Sequence, residues 1–114
     1  MKTFTHAING IIYVFKKEQN FRIHIIATIL VIIAGILFSI DKTEWMIIVI
    51  AISIVTAFEL INSAIEYLCD FVSPDYHGKI KRIKDASAGA VLIAAIGAFV
   101  LALVIFLPMI INII

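Results

Sequence analysis

The chain has 114 residues, 63% of them hydrophobic and only 15% charged, with a mean hydropathy of +1.15 and a formal net charge of +1. A soluble domain of this size needs far more polar surface, so the composition describes an all-helical integral membrane protein, too small for two domains. Near-neutral charge gives no argument for a nucleic-acid partner, and one cysteine, Cys69, excludes an internal disulfide and offers no zinc pattern.

No signal-peptide pattern precedes the first apolar run, so insertion is expected to use the spans themselves. Residues 4–17 form an amphipathic segment. Phe4, Ile8, Ile11 and Phe15 recur at helical spacing on one side, with Lys2, His6, Asn9, Tyr13 and Lys17 on the other. This describes a helix lying on the membrane surface, the alternative being a helix packed on the rest of the protein. Glu18 follows at the junction, and Asn20 is a candidate cap for the next helix.

Residues 21–40 are the first expected span, long enough at about 1.5 Å per residue for a hydrocarbon core of roughly 30 Å. Arg22 and His24 stand at its start, within reach of the headgroups. A polar turn at 41–44 leads to Trp45, which suits an aromatic belt. The second span, 45–72, is longer than a bilayer requires and ends at Ser73-Pro74. A polar loop, DYHGKIKRIKD, is expected over 75–85, and the third span over 86–107, stopping at Pro108. Ala86, Ala90, Ala94, Ala98 and Ala102 repeat at intervals of four, a ridge that should face another helix. Cys69 reads as a packing residue.

Lysine and arginine fall before the first span (Lys2, Lys16, Lys17, Arg22) and in the second loop (Lys79, Lys81, Arg82, Lys84), with Lys42 alone in the first turn. This asymmetry puts the N-terminus and the second loop in the cytoplasm and the C-terminus outside.

The stretch FELINSAIEYLCDF, residues 58–71, breaks the apolar pattern. Glu59, Asn62, Glu66 and Asp70 fall at about 0°, −60°, −20° and +20° around one helix, a single polar stripe. Acids near the bilayer centre cost roughly 2.5 to 3.5 kcal/mol each on insertion scales, so the stripe should face protein, cation or water. Together with Glu18 and the basic loop it suggests a nucleotide site at the cytosolic surface. Glu18 and Glu66 have the chemistry to hold Mg²⁺, and Lys84 to neutralise phosphate. Glu59, about 10 Å deeper than Glu66, is placed to take a proton from a hydroxyl arriving from the lipid. No P-loop, dinucleotide fingerprint or protein-kinase motif accompanies them. The plainer readings stay open: Asp70 and the basic cluster as solvated ends, His24 and His77 as ordinary hydrogen-bonding residues, Asn62 as a bridge between helices.

ELINSAIEYLCD at 59–70, DYH at 75–77 and KDASAGAVL at 84–92 resemble the bacterial diacylglycerol kinase and undecaprenol kinase family, over about residues 4–107. The resemblance implies a homotrimer of protomers with three membrane helices and a surface helix, transferring the γ-phosphate of MgATP to a lipid alcohol in the bacterial plasma membrane. It implies one lipid-kinase domain over 1–114. By it Glu59 is the general base and Glu18 and Glu66 are the metal-holding carboxylates. Asn62 and Asp70 match polar active-site positions, and Asp75, Tyr76, His77, Lys84 and Asp85 the nucleotide-contacting loop. His6 and Gly10 match nucleotide- and lipid-proximal positions of the surface helix. HAING-I at 6–11 and the stretch from Lys16 to His24 are similar to the shorter Gram-positive members, which use undecaprenol; the alternative lipid is diacylglycerol, giving phosphatidic acid. A reading from another class, a small multidrug transporter, requires a fourth span and an isolated carboxylate. A purely structural membrane subunit would leave the carboxylates unexplained.

Overall fold

In hydrocarbon every backbone N–H and C=O must be paired within its own segment, so the apolar runs become helices. The computed structural model describes residues 2–73 and 77–114. These form α1 (Lys2–Lys17), α2 (Gln19–Leu37), α3 (Lys42–Val72) and α4 (Gly78–Ile113). The last three are long and apolar enough to cross a membrane. At about 1.5 Å per residue, α3 and α4 run past a hydrocarbon core of roughly 30 Å, which leaves polar ends outside it.

The chain breaks between α1 and α2 at Glu18, whose backbone is extended (φ −105°, ψ 116°). Arg22 secures the break: its Nη1 donates to the carbonyls of Phe15 and Lys16 at 2.8 and 2.9 Å, two of the orphan acceptors at the end of α1. Phe21, 1% exposed, anchors the first turn of α2. The helix therefore begins before Asn20, which lies inside it rather than capping it.

At the far end of α2 the turn to α3 is tightly specified. Ser39 adopts a left-handed backbone (φ 52°), and the Ile40 N–H bonds the Gly35 carbonyl at 3.1 Å. Asp41 and Glu44 then form a reciprocal capping box, which starts α3 three residues earlier than the apolar run indicates. The Trp45 ring lies on Gly35, where an added Cβ would meet Cη2 at 2.7 Å. Trp45 thus packs against the local core of Ile40, Ile48, Ile105 and Phe106 as well as flanking the span.

Two expectations about α4 need correction. Residues 78–85 are helical rather than loop, because the His77 side chain caps the helix by accepting from the Lys79 N–H at 3.1 Å. The helix also runs through Pro108 to Ile113. Proline removes one N–H near the helix end, whereas stopping there would strip several backbone groups of their partners in lipid. Among the alanines, Ala98 and Ala102 are half-buried toward α2 and α3 and Ala94 is half-buried, but Ala86 and Ala90 are exposed.

The chain is a slab of 53 × 37 × 21 Å, about two helices thick. α4 packs mainly on α3, and α1 touches both α2 and α3. The apolar side of α1, Phe4, Ile8, Ile11 and Phe15, stays exposed; its contact with α3 runs through Val14 and its neighbours.

Candidate active site

α3 is the scaffold of the site. Its inward stripe begins at Glu59, 7% exposed, continues through half-buried Asn62 and buried Ser63, and emerges at half-buried Glu66 and exposed Asp70. Each of three levels along this stripe is tied to a different element. Deepest, Oε1 of Glu59 meets Nε2 of His24 on α2 at 2.8 Å. About 12 Å along the axis, by helical rise, the Tyr67 hydroxyl donates to Oε2 of Glu18 at 2.8 Å. Nearest the polar end, Nζ of Lys84 on α4 contacts Asp70 at 2.5 Å.

The middle level is buttressed by aromatic packing. Tyr13 of α1 meets Tyr67 edge to face, ring centres 5.7 Å apart, and the Lys17 ammonium lies over both rings, 5.4 and 4.7 Å from their centres. The faces of the rings are electron-rich, so the cation favours this position. Beside this stack, His6, Gly10, Tyr13 and Val14 of α1 and Leu60, Ala64 and Tyr67 of α3 line a cavity of about 340 Å³. A second cavity, about 220 Å³ and almost wholly apolar, runs between α2, α3 and α4 with His24 among its lining residues.

Of the residues expected at the site, Glu18, Glu59, Asp70 and Lys84 are each drawn into a pair across elements. Glu66 adjoins Tyr67 on the same stripe, and His6 and Gly10 face α3 across the larger cavity. Asp85 is turned to its own helix, pairing with Lys81 at 2.6 Å, and His77 is engaged as the α4 cap. Asp75 and Tyr76 lie outside the described residues. Oδ1 of Asn62 is buried without a hydrogen-bond partner, an orphan acceptor one turn from both Glu59 and Glu66. Among the described residues, no three His, Cys, Asp or Glu side chains gather where they could hold a metal ion. Cys69 is buried, as a packing residue should be.

Sequence reasoning missed His24 and Tyr67 as partners of the acids. A depth count signals the first: six residues along α2 from Glu18, and eight back along α3 from Tyr67, are about 9 and 12 Å from a shared level, so antiparallel helices bring His24 near Glu59.

The sequence model for prokaryotic diacylglycerol kinase matches residues 5–106. The chain belongs to the prokaryotic diacylglycerol kinase family. It is 40% identical over 107 residues to the undecaprenol kinase of Bacillus subtilis (strain 168), covering 94% of this chain and 87% of that one. It is 36% identical over 107 residues to a diacylglycerol kinase of Synechocystis, spanning 93% of this chain but 61% of that longer protein. The diacylglycerol kinase of Escherichia coli (strain K12) is 28% identical over 100 residues, 88% of this chain and 82% of its own. Membership in the diacylglycerol kinase family makes the chain an enzyme of the lipid-kinase class, with ATP as donor, and removes the multidrug-transporter reading. That reading needed a fourth span, and among the described residues three helices qualify.

Proposed function

We propose that this enzyme phosphorylates undecaprenol, transferring the γ-phosphoryl group of ATP to the terminal hydroxyl of the lipid in the bacterial plasma membrane. The observation that carries this reading is a buried carboxylate, Glu59, in a helix apolar enough to cross a membrane and beside an apolar groove, with Glu66 nearer the polar end of the same stripe and Glu18 brought to that end by Tyr67. A phosphotransferase acting on a lipid needs this separation: a base where the alcohol enters and hard oxygen ligands where the polyphosphate lies. The 40% identity to a protein named undecaprenol kinase supports the choice of lipid.

In the proposed reaction the carboxylate of Glu59 takes the proton as the alcohol O–H bond breaks, and the alcohol oxygen bonds the γ-phosphorus. The phosphorus bond to the departing ADP oxygen breaks, leaving a lipid phosphomonoester. Lys84, held by Asp70, supplies positive charge for the phosphates, with Asp85, Asp75, Tyr76 and His77 in the nucleotide-contacting segment and His6 and Gly10 closing the site from α1. Mg²⁺ suits the chemistry of the donors present. Glu18, Glu66 and the orphan Oδ1 of Asn62 are all oxygens, and this cation takes one or two protein carboxylates and completes its shell with phosphate and water. When bound, the ion neutralises phosphate charge.

We further propose that residues 1–114 act as one domain, that α1 lies in the membrane surface through its exposed apolar side, and that N-terminus and α4 start face the cytoplasm with the C-terminus outside. A protomer two helices thick, with much of its apolar surface uncovered, supports assembly as a homotrimer, measurable by native mass spectrometry.

The test is phosphate transfer from ATP by the purified protein in detergent, offered undecaprenol and diacylglycerol side by side, with and without Mg²⁺. Mg²⁺-dependent preference for undecaprenol is the expected result. Preference for diacylglycerol, the substrate named in the Synechocystis and E. coli relatives, would replace the lipid and keep the mechanism.

A further inference from the structure

A carboxylate buried in a membrane helix must be partnered, or burial drives it to take up a proton and lose its value as a base. Glu59 has one such partner among the described residues. Nε2 of His24 lies 2.8 Å from Oε1. The contact bridges two separate spans, α2 and α3, so it also fixes the rotation of the base relative to the groove. His24 is less buried than Glu59, at 29% side-chain exposure against 9%, and it lines the apolar cavity between α2, α3 and α4. Its ring thus stands where hydrocarbon space meets the base. The remaining lining residues there, such as Thr28, Ala51, Val55 and Ala98, offer no competing ionisable group.

We propose that His24 is the positioning residue of this kinase: by donating from Nε2 to Oε1 of Glu59, it aims Oε2 at the hydroxyl of a lipid alcohol. The proposal rests on the lipid-kinase reading of Glu59 given above. The role needs only an N–H at this place, which the imidazolium carries and the neutral ring carries as its Nε2–H tautomer. A glutamine also carries a side-chain N–H donor of similar reach, whereas leucine fills the space and donates nothing. A residue that merely packs would make the opposite distinction, since leucine keeps the volume.

The experiment compares the full-length enzyme with H24L, H24Q, E59Q and the double variant H24L/E59Q, measuring kcat and KM for ATP and lipid alcohol together with Tm. H24L is expected to lower kcat on the order of 10- to 100-fold, the range of a misaimed catalytic group, while KM for ATP stays within about twofold. H24Q should recover most of the loss, and the double variant should be no slower than E59Q by more than about threefold, because His24 then has no base to aim. Three outcomes overturn the proposal. These are wild-type turnover by H24L while E59Q is inactive, equal loss of activity in H24L and H24Q along with Tm, and multiplication of the two losses in the double variant. An active E59Q would instead overturn Glu59 as the base, which separates the failure of that reading from the failure of this one.

Discussion

The hydroxyl of Tyr67 donates a 2.8 Å hydrogen bond to Oε2 of Glu18, joining residues 49 positions apart. Glu18 is the extended residue between α1 and α2, so it has no helix of its own to orient it. Tyr67 supplies that orientation from α3, one residue beyond Glu66. If the two acids share a cation, the tyrosine is what keeps one of them in place.

Tyr67→Phe should therefore weaken the dependence on Mg²⁺ without abolishing turnover. Loss of one hydrogen bond of about 1 kcal/mol corresponds to a roughly fivefold rise in the Mg²⁺ concentration for half-maximal rate. Glu66→Gln, which removes the negative charge of a proposed ligand, should raise it further. Identical metal titrations for wild type and Glu66→Gln would remove Glu66 from the cation site.

Glu59→Gln changes one oxygen for an amide at nearly constant volume. Turnover should fall by about 10²- to 10⁴-fold, the usual contribution of a general base, while Mg²⁺-dependent ATP binding measured by thermal shift persists. Turnover near the wild-type rate would show that the proton leaves by another route.

Lys84 reaches Asp70 at the exposed end of the stripe, where the pair itself adds little to stability. Its proposed role as a phosphate counter-charge predicts that Lys84→Met raises KM for ATP several-fold with little change in Tm. A KM equal to that of the wild type would assign the lysine to the pair alone.

The turn between α2 and α3 offers a test of the fold apart from chemistry. Gly35→Ala forces a methyl group against the Trp45 ring, 2.7 Å away, and overpacking of this kind costs about 1 to 3 kcal/mol. Tm in detergent should drop by several degrees. Ser39 has φ 52°, so Ser39→Val should also lower Tm, because a β-branched residue resists the left-handed region, whereas Ser39→Gly should not. Equal Tm for the valine and glycine variants would mean the turn relaxes in the membrane.

The apolar runs and the polar stripe of α3 were legible in the chain itself, because hydropathy and a 3.6-residue period report on a helix without reference to its neighbours, whereas the turn expected at 41–44 lies at 38–41, with Lys42 to Glu44 already helical. Glu18, Glu59, Asp70 and Lys84 could be singled out for the same reason: charges in an apolar sequence must be answered by something. What answers them was not legible. The pairing of Glu59 with His24 and of Glu18 with Tyr67 depends on the relative depth and rotation of separate helices, which side-chain packing between them sets. Likewise, Pro108 and the polar stretch before Ala86 read locally as breaks, yet α4 continues through both, since an unpaired backbone in lipid costs more than one missing N–H and the His77 cap makes an earlier start possible.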